Sequence, residues 1–173
     1  MTIDLASSRG PGAALISLHA RAESLLASIP HALPLLALRL ALAIPFFKSG
    51  LTKWDGFLTL SSGAQYLFQE EFKLHIFGSQ YAYPMPLTMA AAAGIAELVL
   101  PVLLVLGLFT RYAALGLLTM TAVIQLTIPD GWANFHLPWA AMALALVVYG
   151  SGRIGLDPLL QKSRRLSPRD SQF

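Results

Sequence analysis

The chain contains no cysteine. That absence excludes thiol–disulfide chemistry, a cysteine-ligated iron–sulfur cluster and a cysteine-based zinc site. Charge is scarce as well. Only 12% of the 173 residues are Asp, Glu, Lys or Arg, against about 25% in soluble domains. The sequence has no phosphate-binding loop, nucleophile elbow or HExxH helix, so the commonest nucleotide, acyl-transfer and zinc-protease chemistries have no foothold. The four histidines are His19, His31, His75 and His136. None pairs with another at i, i+4, and none sits at the centre of an apolar run. A haem core needs inward histidines within its spans, so this chain is a poor haem carrier by itself. Met85, Met89, Met120 and Met142 lack the cysteine or close histidine spacing of a soft-metal path and read as packing residues. No metal site follows from the sequence.

What the chain does have is apolar length. Hydrophobic residues make up 55% of it and gather in segments of the kind that cross a bilayer. Span one is expected over 33–51, span two over 86–109 and span three over 112–128. Span four begins between 131 and 138 and ends at Gly150. Thr110-Arg111 and Pro129-Asp130-Gly131 supply tight turns. Before span one, Leu15, Leu18, Ala22, Leu25, Leu26 and Ile29 repeat at helical spacing opposite Ser17, His19, Arg21 and Glu23. That pattern fits an interfacial amphipathic helix ended by Pro30. Between spans one and two, Phe57, Leu60, Ala64, Leu67 and Phe68 form a second amphipathic stripe. It reads as a surface helix, followed by an aromatic lip at Tyr81 and Tyr83. The expectation is therefore all-α: an integral membrane four-helix bundle with an N-terminal interfacial helix and a periplasmic surface helix. Its parts would be a tail and interfacial helix (1–32), the four-span domain (33–160) and a basic tail (161–173).

The net charge is +3, but the basic residues lie in short segments beside the spans. That is the signature of topology and not of a nucleic-acid surface. Four spans put both termini and the 110–111 turn on one side. Arg9, Arg21, Arg111, Arg153, Lys162, Arg164, Arg165 and Arg169 fall there, against Lys48, Lys53 and Lys73 opposite. The excess places both termini in the cytoplasm, with the bilayer and its anionic lipids as the first partner.

Ionisable groups inside spans are costly and mark functional candidates. Here they are Arg39, Lys48 and Glu97. By helical rise Glu97 falls at a height between the two basic groups, so either can serve as its counter-ion. Arg39 and Lys48 start on opposite faces of span one, and Pro45 can bend the helix between them. Pro101 follows Glu97 by four residues and removes the helical donor to its carbonyl. Ala90-Ala91-Ala92-Ala93-Gly94 allows a close helix approach nearby. Two readings follow: an ion pair that only docks two helices, or a polar pocket for a ligand headgroup or a proton. Lys53, Tyr81, Tyr83 and His136 are candidates for the periplasmic mouth of such a pocket. Gln125 and Arg111 are further polar residues in or near the spans.

Five stretches together resemble the DoxX family of small bacterial membrane proteins. They are Arg39-Leu40 with Phe46-Phe47-Lys48-Ser49-Gly50-Leu51-Thr52-Lys53, then Ala96-Glu97-Leu98-Val99-Leu100-Pro101, and Gly107-Leu108-Phe109-Thr110-Arg111. Met120-Thr121-Ala122-Val123-Ile124-Gln125 and Gly150-Ser151-Gly152-Arg153-Ile154-Gly155-Leu156-Asp157 complete the set. The resemblance covers 33–160. The family usually has Pro and Ser where this chain has Ser151 and Gly155, a mild change at the end of span four. The resemblance implies a multi-pass protein of the bacterial inner membrane. Some relatives are described as the membrane part of a thiosulfate:quinone oxidoreductase. Others are linked to oxidative, quinone or thiol stress beside soluble redox enzymes. The 52–85 segment looks most like a subgroup near metal-stress peptide systems.

Three functions are open on this basis. In a quinone-linked redox subunit, the headgroup would lie by Glu97, with Arg39 or Lys48 balancing charge and Glu97 handling protons; a soluble redox partner would bring electrons. A non-enzymatic membrane partner would hold a soluble stress or metal-handling protein, with the basic tail or the 52–85 segment as its dock. Transport of a small weak acid or metal would need an oligomer, because four short spans make a small bundle.

Overall fold

Apolar runs without breakers form helices, and the computed structural model, which describes residues 11–166, turns each such run into one. α1 (Pro11–Ala27) ends before Pro30, and α2 (Ala32–Leu51) follows. Next come a hairpin of β1 (Trp54–Gly56) and β2 (Thr59–Leu60), a short α3 (Ser62–Tyr66) continued by a wide helical turn at Leu67–Glu71, and a hairpin of β3 (Lys73–Ile76) and β4 (Ser79–Ala82). α4 (Pro86–Leu106) starts on a proline, whose missing N–H is no loss in a first turn. α5 (Thr110–Thr127) follows within four residues. α6 (Leu137–Tyr149) is preceded by helical turns over Pro129–Gly131 and Trp132–His136, and α7 (Asp157–Leu166) comes last.

α2, α4, α5 and α6 share one core. Leu42, Ala43 and Phe46 of α2 meet Leu104 of α4, Ala113, Ala114 and Leu117 of α5, and Ala143 and Leu146 of α6. The small residues among them let backbones approach closely, the main source of helix adhesion in lipid. Among the described residues three helical segments are long and apolar enough to cross a membrane: Ala32–Leu51, Pro86–Leu106 and Pro129–Tyr149. The last gains its length from the turns before α6. α5 has 18 residues but carries Thr110, Arg111, Thr119, Thr121, Gln125 and Thr127. On α4 the buried stripe is Ala90, Gly94, Glu97, Pro101 and Leu104, while Ile95, Val99, Val102 and Leu106 are exposed. Small and polar residues inside with branched apolar residues outside is the arrangement a helix takes in lipid.

The all-α expectation is corrected between α2 and α4, where two antiparallel hairpins flank the short helix. Phe57 and Leu60, placed by periodicity on a helical stripe, lie at a hairpin tip and in β2. The helix runs only from Ser62 to Glu71, started by Ser61, whose hydroxyl accepts from the Ala64 N–H at 3.2 Å as an N-cap does. The β3–β4 turn at Phe77 (φ 49°) and Gly78 (φ 81°) has two left-handed residues, the geometry that matches strand twist. This segment packs against α4 and against the end of α5. The Tyr83 hydroxyl meets Thr127 Oγ1 at 2.6 Å, and His75 Nδ1 lies 3.1 Å from the Leu126 carbonyl.

At the other end of the helices, α5 has no cap of its own, since Phe109 stands before it in a left-handed conformation (φ 49°). Asp157 caps it from α7, accepting from the Phe109 N–H at 2.7 Å and the Thr110 N–H at 3.0 Å. A carboxylate at a helix N-terminus also faces the positive end of the dipole. The Asp157 N–H returns a bond to the Gly107 carbonyl at 2.8 Å.

Candidate functional site

α2 and α4 run antiparallel, and one contact sets their register. Gly50 lies on Glu97 so closely that a Cβ there would stand 3.0 Å from the Glu97 carbonyl carbon and Cβ. One turn further, Gly94 receives the Trp54 ring; a Cβ on Gly94 would be 2.8 Å from Trp54 Cζ2. Two glycines and an indole thus fix the height of Glu97 against the end of α2.

Helical geometry then decides its counter-ion. Taking Gly50 as the face toward Glu97, Lys48 is displaced by roughly 200° and points away; it is exposed. Arg39 returns to within roughly 20° of that face, but roughly 16 Å lower. Lys53 falls about one turn beyond Gly50 on the same side and reaches back. Its Nζ donates to Glu97 Oε2 at 2.5 Å and to Ser49 Oγ at 3.1 Å. The two side chains are only 12% and 6% exposed. Lys53, expected at a mouth with Tyr81, Tyr83 and His136, is therefore Glu97's partner, and Arg39 and Lys48 are not. Beside the pair, Trp54 Nε1 is buried with no hydrogen-bond partner. Pro101 denies the Glu97 carbonyl its helical donor. The ion pair thus lies about halfway along α4, with the Trp54 ring one turn away on Gly94.

Arg39 holds the opposite end. Wholly buried, its Nη1 donates to the Ile154 carbonyl at 2.6 Å and the Ser151 carbonyl at 3.3 Å. It packs over Gly107 and Gly155, where no side chain would fit. Its Nε has no partner. This arginine clamps the segment after α6 onto the α4–α5 turn.

The remaining candidates are dispersed. His136 is buried and its Nδ1 lies 2.7 Å from Gln125 Oε1. Gln125 Nε2 donates to the Pro129 carbonyl at 3.1 Å, which orients the amide so that the histidine Nδ1 carries the proton. The His136 ring packs under Gly131 and against Trp139, which in turn contacts Phe46. Tyr83 is tied to Thr127, while Tyr81 is exposed on β4 and Arg111 on the first turn of α5. Outside the spans, the Tyr66 hydroxyl donates to Glu71 Oε1 at 3.0 Å; that bond and the carboxylate charge push its pKa above the usual value of 10.0. Trp54 lies by the ion pair without having been a sequence candidate, and Ser49, Thr110 and Asp157 entered the sequence reading only as parts of turns and of the family-like stretches. Only Gly94, read as a point of close approach, hinted at the indole packed on it. Among the described residues no three His, Asp or Glu side chains gather as a metal-binding group.

Comparisons with known proteins show which family the chain resembles. A Haemophilus influenzae protein, described as uncharacterized, is 32% identical over 136 residues, covering 74% of this chain and 83% of that protein. No solved structure matches the chain. The DoxX family model matches residues 34–130, which take in α2, the hairpin segment, α4 and α5, and with them Arg39, Lys53 and Glu97. Apolar helices with an inward ion pair, a family match over more than half the length and a relative spanning most of both chains lead to one conclusion: this is a membrane protein of the DoxX family.

Proposed function

We propose that this protein is the membrane subunit of a quinone-linked redox or stress-response system, with the quinone headgroup held at Glu97, Lys53 and Trp54. The observation that carries this reading is the buried Trp54 N–H without a partner beside a buried ion pair. An orphaned donor there costs about 1–3 kcal/mol, which a ligand carbonyl would recover. In this reading Trp54 donates to one headgroup oxygen, and Lys53 orients Glu97, which passes protons to the other. Bound quinone would serve as an acceptor of two electrons and two protons, and the electrons would come from a soluble partner, since no side chain here carries them.

α5 serves as the fourth span, its hydroxyls turned back onto its own backbone: Thr119 and Thr121 donate to the Leu115 and Leu117 carbonyls at 3.0 and 2.8 Å. Both termini face the cytoplasm of a bacterial inner membrane, and α1, with Leu15, Leu18, Leu25 and Leu26 exposed, lies along its surface. Because the chain has no cysteine, single cysteines report this topology directly. Ser79→Cys should label from the periplasm and Arg153→Cys from the cytoplasm; labelling of both from one side would refute the arrangement.

To test the site, protein purified in mild detergent is extracted beside a Glu97→Gln control and quinone is quantified by mass spectrometry. Near-stoichiometric quinone in the parent and little in the control is expected. Equal amounts in both would remove Glu97 from the site.

A second reading, a membrane partner for a soluble stress or metal-handling protein, draws on Phe57 and Phe77. These aromatic hairpin tips are 94% and 103% exposed. Ligand-free protein that co-purifies with a soluble protein, and loses it on Phe57→Ser/Phe77→Ser, would favour that reading.

A further inference from the structure

At the end of the molecule far from Glu97, the start of α5, the turn after α6 and the first residues of α7 enclose an open cleft of about 420 Å³. Its walls follow from local backbone constraints. Gly150 (φ 74°, ψ −156°) occupies a region that essentially only glycine adopts, and Gly152 is left-handed at φ 68°. The chain therefore turns sharply out of α6, and the Arg111 side chain lies across Gly150, with Nε where a Cβ on that glycine would touch it at 3.4 Å.

The lining is mixed in a particular way. Arg111 is exposed, and among the described residues no carboxylate pairs with it. Thr110 is wholly buried, and its Oγ1 has no partner. Asp157 also lines the cleft, but both its oxygens are taken by backbone N–H groups of α5. The Asp157 charge is held against the N-terminus of α5, which leaves the exposed Arg111 guanidinium as the cation that an anionic group would meet. Tyr112, Tyr149 and Leu160 give it apolar flanks exposed by 75%, 70% and 44%. A soluble ligand would leave those flanks in water.

We propose that this cleft binds the headgroup of an anionic phospholipid. Arg111 pairs with the phosphate, and the two tyrosines and Leu160 take the start of the acyl chains. The position agrees: Thr110 opens α5 and Tyr149 closes α6, so the cleft is level with the ends of apolar helices, where headgroups lie and Tyr and Arg gather. Its volume is in the range of small-ligand sites. The site is independent of the Glu97–Lys53 pair, and the fate of either proposal leaves the other standing.

The experiment is native mass spectrometry of the full chain, stripped of lipid in detergent and then offered phosphatidylglycerol, phosphatidylcholine or inorganic phosphate. Wild type should retain one phosphatidylglycerol, at least tenfold more tightly than phosphatidylcholine, and inorganic phosphate at the same concentration should not displace it. Arg111→Gln should remove that preference. Tyr149→Ala should weaken retention of both lipids while keeping the preference, and Arg111→Gln should elute as the same monodisperse species and unfold at the same midpoint as the parent. Equal retention by wild type and Arg111→Gln, or equal retention of the two lipids by wild type, would overturn the proposal. Displacement by inorganic phosphate alone would overturn the lipid assignment in favour of a free anion.

Discussion

Removing one member of the Lys53–Glu97 pair should harm the fold far more than removing both. The pair is 12% and 6% exposed and closes at 2.5 Å, so neither charge has much access to water. Breaking a buried pair from one side leaves an uncompensated charge and costs about 3–5 kcal/mol. In a chain of this length each kcal/mol moves the midpoint of thermal unfolding by about 2–4 °C. Lys53→Met alone, which strands Glu97 beside Gly50, is therefore expected to lower the midpoint by about 6–20 °C. Glu97→Leu should fall toward the lower end, because Lys53 keeps Ser49 Oγ as an acceptor. The double variant Lys53→Met/Glu97→Leu replaces the pair by packed apolar groups and should return to within about 1 kcal/mol of the parent, or exceed it. The assay is thermal unfolding in one detergent, followed by tryptophan fluorescence and by retention of the monodisperse peak. A double variant as unstable as the sum of the singles would refute the reasoning, as would singles that match the parent. A recovered double variant has a second use: it separates docking of α2 on α4 from ligand binding, since it should stay folded and hold no quinone.

Gly107→Ala should be among the most damaging single changes. The position is left-handed at φ 65°, and a Cβ there would meet the Arg39 guanidinium and stand 2.6 Å from Gly155 Cα; conformational and packing terms together suggest about 2–5 kcal/mol, read by thermal unfolding, and a loss under 1 kcal/mol would contradict the Arg39 clamp. Phe77→Asn should stabilise the protein in detergent by roughly 1 kcal/mol, because Phe77 is fully exposed at φ 49° and asparagine tolerates that conformation better; a net loss would mean that the phenyl ring is engaged by lipid or a partner. The Tyr66 phenol should titrate above 10.0, because it donates to Glu71 and faces its charge. A raised folded pKa holds the proton more tightly in the native state, so this contribution is present below the unfolded value and lost as pH rises through the folded one. Absorbance titration compared with Tyr66→Phe should show the raised midpoint, and Glu71→Gln should lower it.

The helices were legible because proline and glycine bracket the apolar runs, as at Pro30, Pro86, Gly107 and Gly150. The hairpins were not. β1 and β2 have three and two residues, too few for alternation to compete with the spurious helical spacing of Phe57, Leu60 and Ala64. Glu97 was legible as a charge amid apolar residues, whereas its partner was hidden. Lys53 lies beyond the end of α2, and its pairing depends on a register set by Gly50 and by Trp54 in the notch of Gly94. Asp157 capping α5 from more than forty residues away likewise leaves no local signature. Arg39 was legible as a buried charge, but its partners are backbone carbonyls, which no sequence pattern marks.

The most direct test of the Glu97 site uses Trp54 as its own reporter. The chain has three tryptophans, and Trp132→Phe/Trp139→Phe leaves only Trp54 emitting. Titration of this variant with a short-chain ubiquinone should quench its fluorescence saturably at one equivalent, and Glu97→Gln should abolish the saturable phase while leaving linear collisional quenching. Linear quenching alone in both, or an unchanged saturable phase in Glu97→Gln, would contradict a quinone headgroup held between Trp54 and Glu97.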